Sequence, residues 1–218
     1  MRLQSAIFDM DGTLLDSMPT WRELGPTFLK EAGISATPEQ DRMLHILADC
    51  DVIPYLREVC GLPWSQQEII DQIIQRMETF YSSQVRPKPG LEKFLSILKM
   101  EGVWMYVATA THRRLTEKAL KTAGIDHYFR GIVTSADAGN HKSESADIYE
   151  MAMRRLQSNK RDTVVFEDAL HAIRTAKAAG FRVAGVYEAT AEQDQPEIRR
   201  LCDYYIRSYE ELVQSETF

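Results

Sequence analysis

Cysteine is scarce in this sequence, and the few thiols do not form a metal-binding or disulfide pattern. Three occur, Cys50, Cys60 and Cys202, and none stands in Cys-x-x-Cys spacing. Zinc sites and disulfide frameworks depend on regularly spaced cysteines, so neither kind of site is indicated. Core filling is the expected role of the three thiols, and a reducing cytoplasm is the predicted compartment.

Long apolar runs and an excess of positive charge are also missing. No stretch reaches the roughly 20 apolar residues that a membrane-spanning helix needs, and no apolar signal segment precedes the first predicted strand. Acidic residues outnumber basic ones, 32 against 26, which gives a formal net charge of −6. Broad nucleic-acid binding needs a basic face. We therefore expect no membrane partner, no nucleic-acid partner and a small substrate. A monomer or weak homodimer is also expected, although the sequence leaves the oligomeric state open.

What the sequence does contain is a regular alternation of short apolar segments and amphipathic helical patterns. Apolar segments of this length suit strands that are covered on both faces, and alternation with helices is typical of parallel sheets. We predict an α/β fold with a doubly wound, Rossmann-like parallel sheet. The predicted strands are residues 3–8, 103–108, 131–134, 163–166, 182–186 and 202–206, and the predicted helices between them are residues 91–100, 116–123, 146–156 and 169–179.

Residues 17–86 interrupt this alternation, because they hold helical patterns and no convincing strand. Pro87 and Pro89 mark the return to the alternating pattern, since proline disfavours helix and stiffens a linker. We predict that residues 1–16 and 87–218 form the α/β core and that residues 17–86 form an inserted, all-helical cap domain. The insertion begins just after the first strand, so it would lie over the carboxyl end of the sheet, where such folds bind ligands. Water exclusion and substrate selection are its expected roles.

Two carboxylates one residue apart stand where the first strand would open into a turn, in the segment Asp9-Met10-Asp11-Gly12-Thr13. On an extended backbone Asp9 and Asp11 lie on the same side, so two negative charges are crowded and a divalent cation would relieve their repulsion. Such residues also form turns and helix caps, which is the weaker interpretation. We predict a phosphoryl-transfer site in which Asp9 is the nucleophile, Asp11 is the general acid and base, and Mg²⁺ neutralises charge.

The end of the second predicted strand offers hydrogen-bond donors to such a site. The hydroxyl of Thr109 and the backbone amide of Ala110 are the predicted phosphate-binding groups, because charge that develops on phosphoryl oxygens needs donors from neighbouring strand ends. Helix capping is the competing role for threonines at this position, and it is the role expected of Thr111.

Charged residues follow the third and fourth predicted strands. Lys142 is predicted to bind phosphate, although a solvated loop lysine is the alternative. Glu167 and Asp168 end the fourth predicted strand, across from Asp9, where they can complete an oxygen-rich shell for Mg²⁺. Each of these residues stands at or after a predicted strand end, so all would meet at one edge of the sheet.

In this order the segments resemble the motifs of the haloacid dehalogenase superfamily, most closely its β-phosphoglucomutase-like branch, which includes many small-molecule phosphatases. The opening motif, Asp-x-Asp-Gly-Thr, is complete. In the third motif, Gly-Lys-Pro-x-Pro-Asp-Ile-Tyr, serines replace both prolines and one extra residue separates Lys142 from Asp147. In the fourth motif Ala169 and Ala172 replace Ser and Gly.

The resemblance implies the metal ligands and the reaction. Asp9, the carbonyl of Asp11 and Asp168 would hold Mg²⁺, with Glu167 as a direct or water-mediated helper, and Asp147 would orient Lys142 by ion pairing. The implied activity is Mg²⁺-dependent hydrolysis of a small phosphomonoester, such as a sugar or related metabolite phosphate, through an aspartyl phosphate.

Two other functions stay open at this point. A β-phosphoglucomutase-type mutase shares the machinery, but such mutases carry a His near the position of Trp21 and a Gly-x-Ser-Arg segment that does not occur here, so hydrolysis is favoured. A low-activity homologue that only binds phosphorylated metabolites is the other alternative, because two motifs are altered. Candidate substrate contacts in the helical insertion are Trp21, Arg22, His45 and Arg57, although such residues more often pack or face solvent.

Overall fold

A six-stranded parallel sheet forms the centre of the computed structural model, which describes residues 3–47 and 49–214. The strands are β1 Ser5–Phe8, β2 Trp104–Thr109, β3 Phe129–Thr134, β4 Thr163–Glu167, β5 Arg182–Val186 and β6 Tyr204–Ile206. Along the sheet their order is β3-β2-β1-β4-β5-β6, so the predicted doubly wound α/β fold is confirmed.

The central strands β1 and β4 are wholly buried, because helices cover both faces of the sheet. Successive side chains on a strand point to opposite faces. Phe8 and Phe166 therefore stack on one face, with ring centroids 4.3 Å apart, while Ile7 and Val165 pack into a separate apolar cluster on the other. This two-sided burial explains why the strands are continuous apolar runs in the sequence.

Seven α-helices and two short 3₁₀ helices follow or connect the strands after residue 90 within the described residues. They are listed here in chain order, as α5 Leu91–Met100, α6 Arg113–Thr122, 3₁₀ Asp126–Tyr128, α7 Ser135–Ala138, α8 Asp147–Arg155, α9 Leu170–Ala178, 3₁₀ Ala189–Asp194, α10 Gln195–Leu201 and α11 Tyr209–Gln214. Helix α6 begins three residues before its predicted start, and β3 begins two residues before its own. In the described part of the chain, each helix is too short or too polar to cross a lipid bilayer.

In the described residues four helices lie between β1 and α5, and we call residues 18–83 the helical segment. They are α1 Met18–Glu31, α2 Pro38–Ile46, α3 Asp49–Glu58 and α4 Gln66–Ser83. Capping boxes start two of them, at Thr37 for α2 and Ser65 for α4. None of the described residues in this segment belongs to the sheet. That residues 17–86 form a separate cap domain stays a prediction.

The chain leaves the sheet and returns to it through two linkers that run side by side. The amide of Lys88 donates to the carbonyl of Leu14 over 2.9 Å, and the amide of Asp16 donates to the carbonyl of Arg86 over 3.0 Å. The outgoing linker turns at Gly12, whose φ of +81° lies in the left-handed region that favours glycine. The helical segment is thereby attached at the carboxyl end of β1.

Helix α4 of the helical segment packs against α6 of the α/β part. Glu78 on α4 accepts a hydrogen bond from Lys118 Nζ over 3.0 Å and also pairs with Arg114. Both cations belong to α6, which follows the end of β2. The helical segment therefore reaches across the carboxyl end of the sheet, beside the residues that follow β1 and β2.

Candidate active site

Asp9 follows β1 directly and is buried at the carboxyl end of the sheet. Its amide donates to the carbonyl of Phe166 over 3.0 Å, so the β1–β4 ladder continues up to this residue and fixes its backbone. Burial, followed by the neighbouring carboxylate of Glu167, raises the pKa of Asp9 well above its usual range. An ionised Asp9 in this position therefore needs positive charge close by.

Lys142 supplies part of that charge from the loop between α7 and α8. Its ammonium lies 2.8 Å from Asp9 Oδ1 and 3.2 Å from each carboxylate oxygen of Glu167. Burial alone would lower the pKa of Lys142, but Asp9 and Glu167 outweigh it and raise that pKa well above the ordinary value. The altered third motif therefore still brings a charged lysine to Asp9.

Asp147 does not orient Lys142, so this part of the sequence prediction is wrong. The Asp147 carboxylate accepts a hydrogen bond from Asn140 Nδ2 over 2.9 Å. The physical reason is the local turn, in which the amides of Glu144 and Ser145 both donate to the carbonyl of His141. In this loop Lys142 is buried, whereas Asp147 is exposed at the start of α8.

Glu167 is the partner that holds Lys142, and both of its carboxylate oxygens are engaged. Oε1 also accepts from the amide of Ala169 over 3.2 Å, and Oε2 accepts from the hydroxyl of Tyr149 over 2.9 Å. Tyr149 lies on α8 and is fully buried. No role was predicted for Tyr149, although Asp147-Ile148-Tyr149 matches the Asp-Ile-Tyr end of the third motif.

Asp168 completes the acidic side of the site. Thr13 Oγ1 donates to Asp168 Oδ1 over 2.7 Å, which links the opening motif to the end of β4. A Cβ atom on Gly12 would lie 2.3 Å from Asp168 Oδ2, so only glycine allows this close approach. Burial, followed by the charge of Asp9, raises the pKa of Asp168 to about 7.

The carboxylates of Asp9, Glu167 and Asp168 each offer an oxygen within 4.8 Å of the others. All three are buried, and Lys142 is the cation in contact with Asp9 and Glu167. Asp9 Oδ1 has this ion pair but no aligned hydrogen bond. An oxygen-only donor set with excess negative charge fits a hard divalent cation such as Mg²⁺.

Asp11 lies in different surroundings, where hydroxyl groups are its partners. Ser17 Oγ and Tyr81 Oη donate to Asp11 Oδ1 over 2.6 and 2.5 Å, and Thr111 Oγ1 donates to Oδ2 over 2.7 Å. Burial, followed by the charge of Asp11, raises the pKa of Tyr81 well above its usual range, so its hydroxyl stays protonated. The roles of Ser17 and Tyr81 were not found in the sequence.

Thr111 does not cap the helix that follows it, contrary to the expectation. The N-cap of α6 is His112, whose side chain accepts from the amide of Arg114. Thr111 turns its hydroxyl to Asp11, while its amide donates to Thr109 Oγ1 over 3.1 Å. A contact distant in sequence has replaced the local capping role.

The predicted phosphate-binding groups lie at the end of β2, beside β1. Val107 of β2 pairs with Phe8 of β1, so Thr109 and Ala110 follow at the same sheet edge as Asp9. Thr109 is buried, and its oxygen accepts from the amide of Thr111, which leaves its own hydroxyl hydrogen for another acceptor. Ala110 is half-buried beside it. Their binding of phosphate stays a prediction.

The candidate contacts in the helical segment have different surroundings. Trp21 Nε1 donates to Tyr81 Oη over 3.0 Å, and Arg22 Nη1 donates to the carbonyl of Leu47 over 3.2 Å. Arg57 is exposed, and the side chain of His45 lies outside the described residues. Trp21 is therefore joined to the surroundings of Asp11 through Tyr81.

Comparisons with known proteins find similar sequences over most of this chain. A family model described as "Haloacid dehalogenase-like hydrolase" matches residues 6–186. The phosphorylated carbohydrates phosphatase of Thermotoga maritima is 26% identical over 185 residues, which cover 84% of this chain and 85% of that protein. Hexitol phosphatase B of Escherichia coli is 26% identical over 221 residues, which cover 99% of this chain and 96% of that protein.

The fold also recurs among solved structures. The crystal structure of β-phosphoglucomutase from Clostridium difficile matches with a TM-score of 0.74 at 18% sequence identity. The match covers 97% of this chain and 93% of that one. At this identity the likeness concerns the fold alone.

Proposed function

The chain belongs to the haloacid dehalogenase-like hydrolases, and we propose that it is a Mg²⁺-dependent phosphatase that hydrolyses a small phosphomonoester through an aspartyl phosphate on Asp9. The family predicted from the sequence motifs is thereby confirmed. The observation that carries the proposal is the placement of Asp9. Its buried carboxylate lies against the ammonium of Lys142 at 2.8 Å and forms an acidic cluster with Glu167 and Asp168.

The metal site follows from the same cluster. Asp9, the main-chain carbonyl of Asp11 and Asp168 would hold Mg²⁺, with Glu167 as a direct or water-mediated helper. When bound, Mg²⁺ would neutralise the charge of the carboxylates and of the phosphoryl group. The support is the all-oxygen donor set and the crowding of buried negative charge.

The proposed reaction consists of two displacements at phosphorus. A carboxylate oxygen of Asp9 attacks the phosphorus atom, the bond to the leaving alkoxide breaks, and protonated Asp11 gives its proton to that oxygen. A water molecule then attacks the aspartyl phosphate and gives a proton to Asp11, and the bond between phosphorus and Asp9 breaks. Phosphate is released, and both carboxyl groups return to their starting forms.

Three groups would bind the transferred phosphoryl oxygens throughout. The ammonium of Lys142 offers charge, and the hydroxyl of Thr109 and the amide of Ala110 offer hydrogen bonds. Tyr149 and Glu167 would keep Lys142 in place, since Tyr149 donates to Glu167 Oε2 and Glu167 contacts the ammonium. These buried contacts would compensate for the two serines and the extra residue in the third motif.

The proposed substrate class is that of sugar and sugar-alcohol phosphates. Its support is the naming of two relatives for phosphorylated carbohydrates and for hexitol phosphate. A β-phosphoglucomutase-type mutase and a low-activity homologue that binds phosphorylated metabolites are the alternatives. Hydrolysis is favoured over the mutase reaction because Trp21 stands near the position where the mutases of this branch carry a His.

The proposed compartment is the cytoplasm, where the two described cysteines, Cys60 and Cys202, would stay free thiols, as they are here.

A phosphate-release screen over sugar, polyol and aryl phosphates, with and without Mg²⁺, tests the function. We expect Mg²⁺-dependent release that falls by about 10³-fold or more in Asp9→Asn. Asp71→Asn, on the exposed side of α4, is the matched control and should retain activity. Isomerisation of a sugar phosphate that requires a sugar bisphosphate would establish the mutase instead. Tight metabolite binding with equal inactivity of the wild type and Asp9→Asn would establish the binding protein.

A further inference from the structure

We propose that Tyr81 and Trp21 are positioning residues for Asp11, and that they make its proton transfer depend on the helical segment lying over the sheet. This role rests on the proposed phosphatase function. It concerns the first step of that reaction, in which Asp11 protonates the leaving oxygen. The two residues do not act on the phosphoryl group themselves. They act through hydrogen bonds on the group that protonates the leaving oxygen.

The chemistry of the side chains determines which atom donates and which accepts in these hydrogen bonds. An indole Nε1–H can only donate, so Tyr81 Oη must accept from Trp21 over 3.0 Å. The hydroxyl hydrogen of Tyr81 is then directed to Asp11 Oδ1 over 2.5 Å. Tyr81 is fully buried, so water does not compete for either bond. Trp21 therefore fixes the donor that reaches Asp11.

The two carboxylate oxygens of Asp11 differ as a result. Among the described residues, Oδ1 accepts from both Ser17 and Tyr81, whereas Oδ2 accepts from Thr111. These unequal contacts fix the rotation of the Asp11 carboxyl group and leave Oδ2 as its less engaged oxygen.

The partners of Asp11 come from different parts of the fold. Ser17 belongs to the outgoing linker and Thr111 to the loop after β2, whereas Tyr81 and Trp21 lie on α4 and α1 of the helical segment. Glu78, three residues before Tyr81, anchors α4 to Lys118 of α6 over 3.0 Å. If the helical segment moves away from the sheet, Asp11 keeps Ser17 and Thr111 but loses Tyr81.

The test compares two substrates that differ in their need for an acid. An alkyl phosphate such as glycerol phosphate needs a proton on its leaving oxygen, whereas p-nitrophenyl phosphate has a leaving group that departs without one. The value of kcat/KM reports the steps up to formation of the aspartyl phosphate. Loss of a correctly placed acid therefore lowers kcat/KM for the alkyl ester selectively.

Tyr81→Phe is the central variant. General acid catalysis contributes roughly 10²- to 10⁴-fold, so we expect part of it, about 10- to 100-fold, to be lost for the alkyl phosphate and less than about 3-fold for the aryl phosphate. Trp21→Phe should show the same selectivity with a smaller loss, because Tyr81 remains. Tyr128→Phe is the matched control, since the described hydrogen bond of the Tyr128 hydroxyl joins it to Ser96 on α5.

Equal losses for both esters in Tyr81→Phe would overturn the positioning role, because a general structural defect does not distinguish leaving groups. If Tyr81→Phe unfolds at the assay temperature, Trp21→Phe decides the question by the same ratio of kcat/KM values. Asp9→Asn in the same assay separates this result from the proposed function. Asp9→Asn activity equal to the wild type contradicts the phosphatase mechanism, whereas an inactive Asp9→Asn with a non-selective Tyr81→Phe contradicts the positioning role alone.

Discussion

Asp9 and Asp11 stand two positions apart, yet their surroundings are built from different parts of the molecule. The Asp9 region, formed by Asp9, Lys142, Glu167 and Asp168, comes entirely from strand ends and loops of the α/β part. The Asp11 region, formed by Asp11 and the hydroxyls of Ser17, Tyr81 and Thr111, includes a donor from the helical segment. The α/β part thus supplies the charged half of the site, and the helical segment joins it at the second carboxylate.

The chemical difference between the regions fits the proposed roles. A nucleophile and a metal ligand should stay ionised, and charged partners favour the ionised form. A general acid and base must gain and lose a proton, and hydroxyl groups suit this because they both donate and accept. An ammonium beside Asp11 would instead hold it in one form. Asp9 and Asp11 are close in sequence, but the groups that contact them differ, and this difference suits them to different roles.

Lys142→Met is the substitution in the Asp9 region for which we expect the largest loss of stability and activity. It leaves the carboxylates of Asp9 and Glu167 buried without their cation, and such a loss destabilises a protein by about 3–5 kcal/mol. We expect that loss in urea unfolding, together with a fall in kcat/KM of about 10²- to 10³-fold. Lys177→Ala, which removes an exposed pair with Asp203, should cost less than about 1 kcal/mol. A Lys142→Met protein as stable as the wild type would contradict the charged character of the Asp9 region.

Mg²⁺ should stabilise the folded protein through the Asp9 region. A ligand that binds only the folded state at 100 times its Kd adds about 2.7 kcal/mol, and we expect the thermal midpoint to rise with Mg²⁺ accordingly. Asp168→Asn should remove most of that rise. Asp11→Asn should keep it, because the expected contribution of Asp11 is its main-chain carbonyl. Equal loss of the Mg²⁺ effect in both variants would contradict the division between the two regions.

Gly12→Ala tests the turn that joins the two regions. The new Cβ would meet Asp168 Oδ2 at 2.3 Å on a residue with φ +81°, so overpacking of about 1–3 kcal/mol should add to the strain of a left-handed Ala, about 1–2 kcal/mol. Gly33→Ala is the control, since its φ is +71° but nothing lies within 4 Å of the added atom. It should cost only the left-handed strain, about 1–2 kcal/mol in unfolding free energy. Equal costs at the two glycines would show that the approach to Asp168 does not constrain the turn.

Much of the fold was predictable because it depends on local patterns. The central strands are apolar runs buried on both faces, and the helical segment was marked by the lack of strand patterns. The ends of the elements were less predictable, as in β3, which begins at Phe129 rather than at residue 131. Gly131 interrupts the apolar pattern there, and pairing with β2 decides the strand start.

The Asp9 region was predictable for a topological reason. Carboxyl ends of parallel strands meet at one edge, so Asp9, Glu167 and Asp168 had to converge once the strands were known. The Asp11 region was not, because the donor Tyr81 is 70 positions away and its approach depends on how α4 packs on α6. The pairing of Asp147 failed for a similar reason, since a turn in the loop separates it from Lys142.

Chemical trapping of the phosphorylated residue tests the central claim most directly. The enzyme would be mixed with a ³²P-labelled phosphomonoester and Mg²⁺, quenched in acid, and digested so that mass spectrometry locates the label. We expect an acyl phosphate on Asp9 in the wild type, its accumulation in Asp11→Asn with an aryl phosphate, and no label in Asp9→Asn. Turnover without a label on Asp9, or with the label on another residue, would contradict the account.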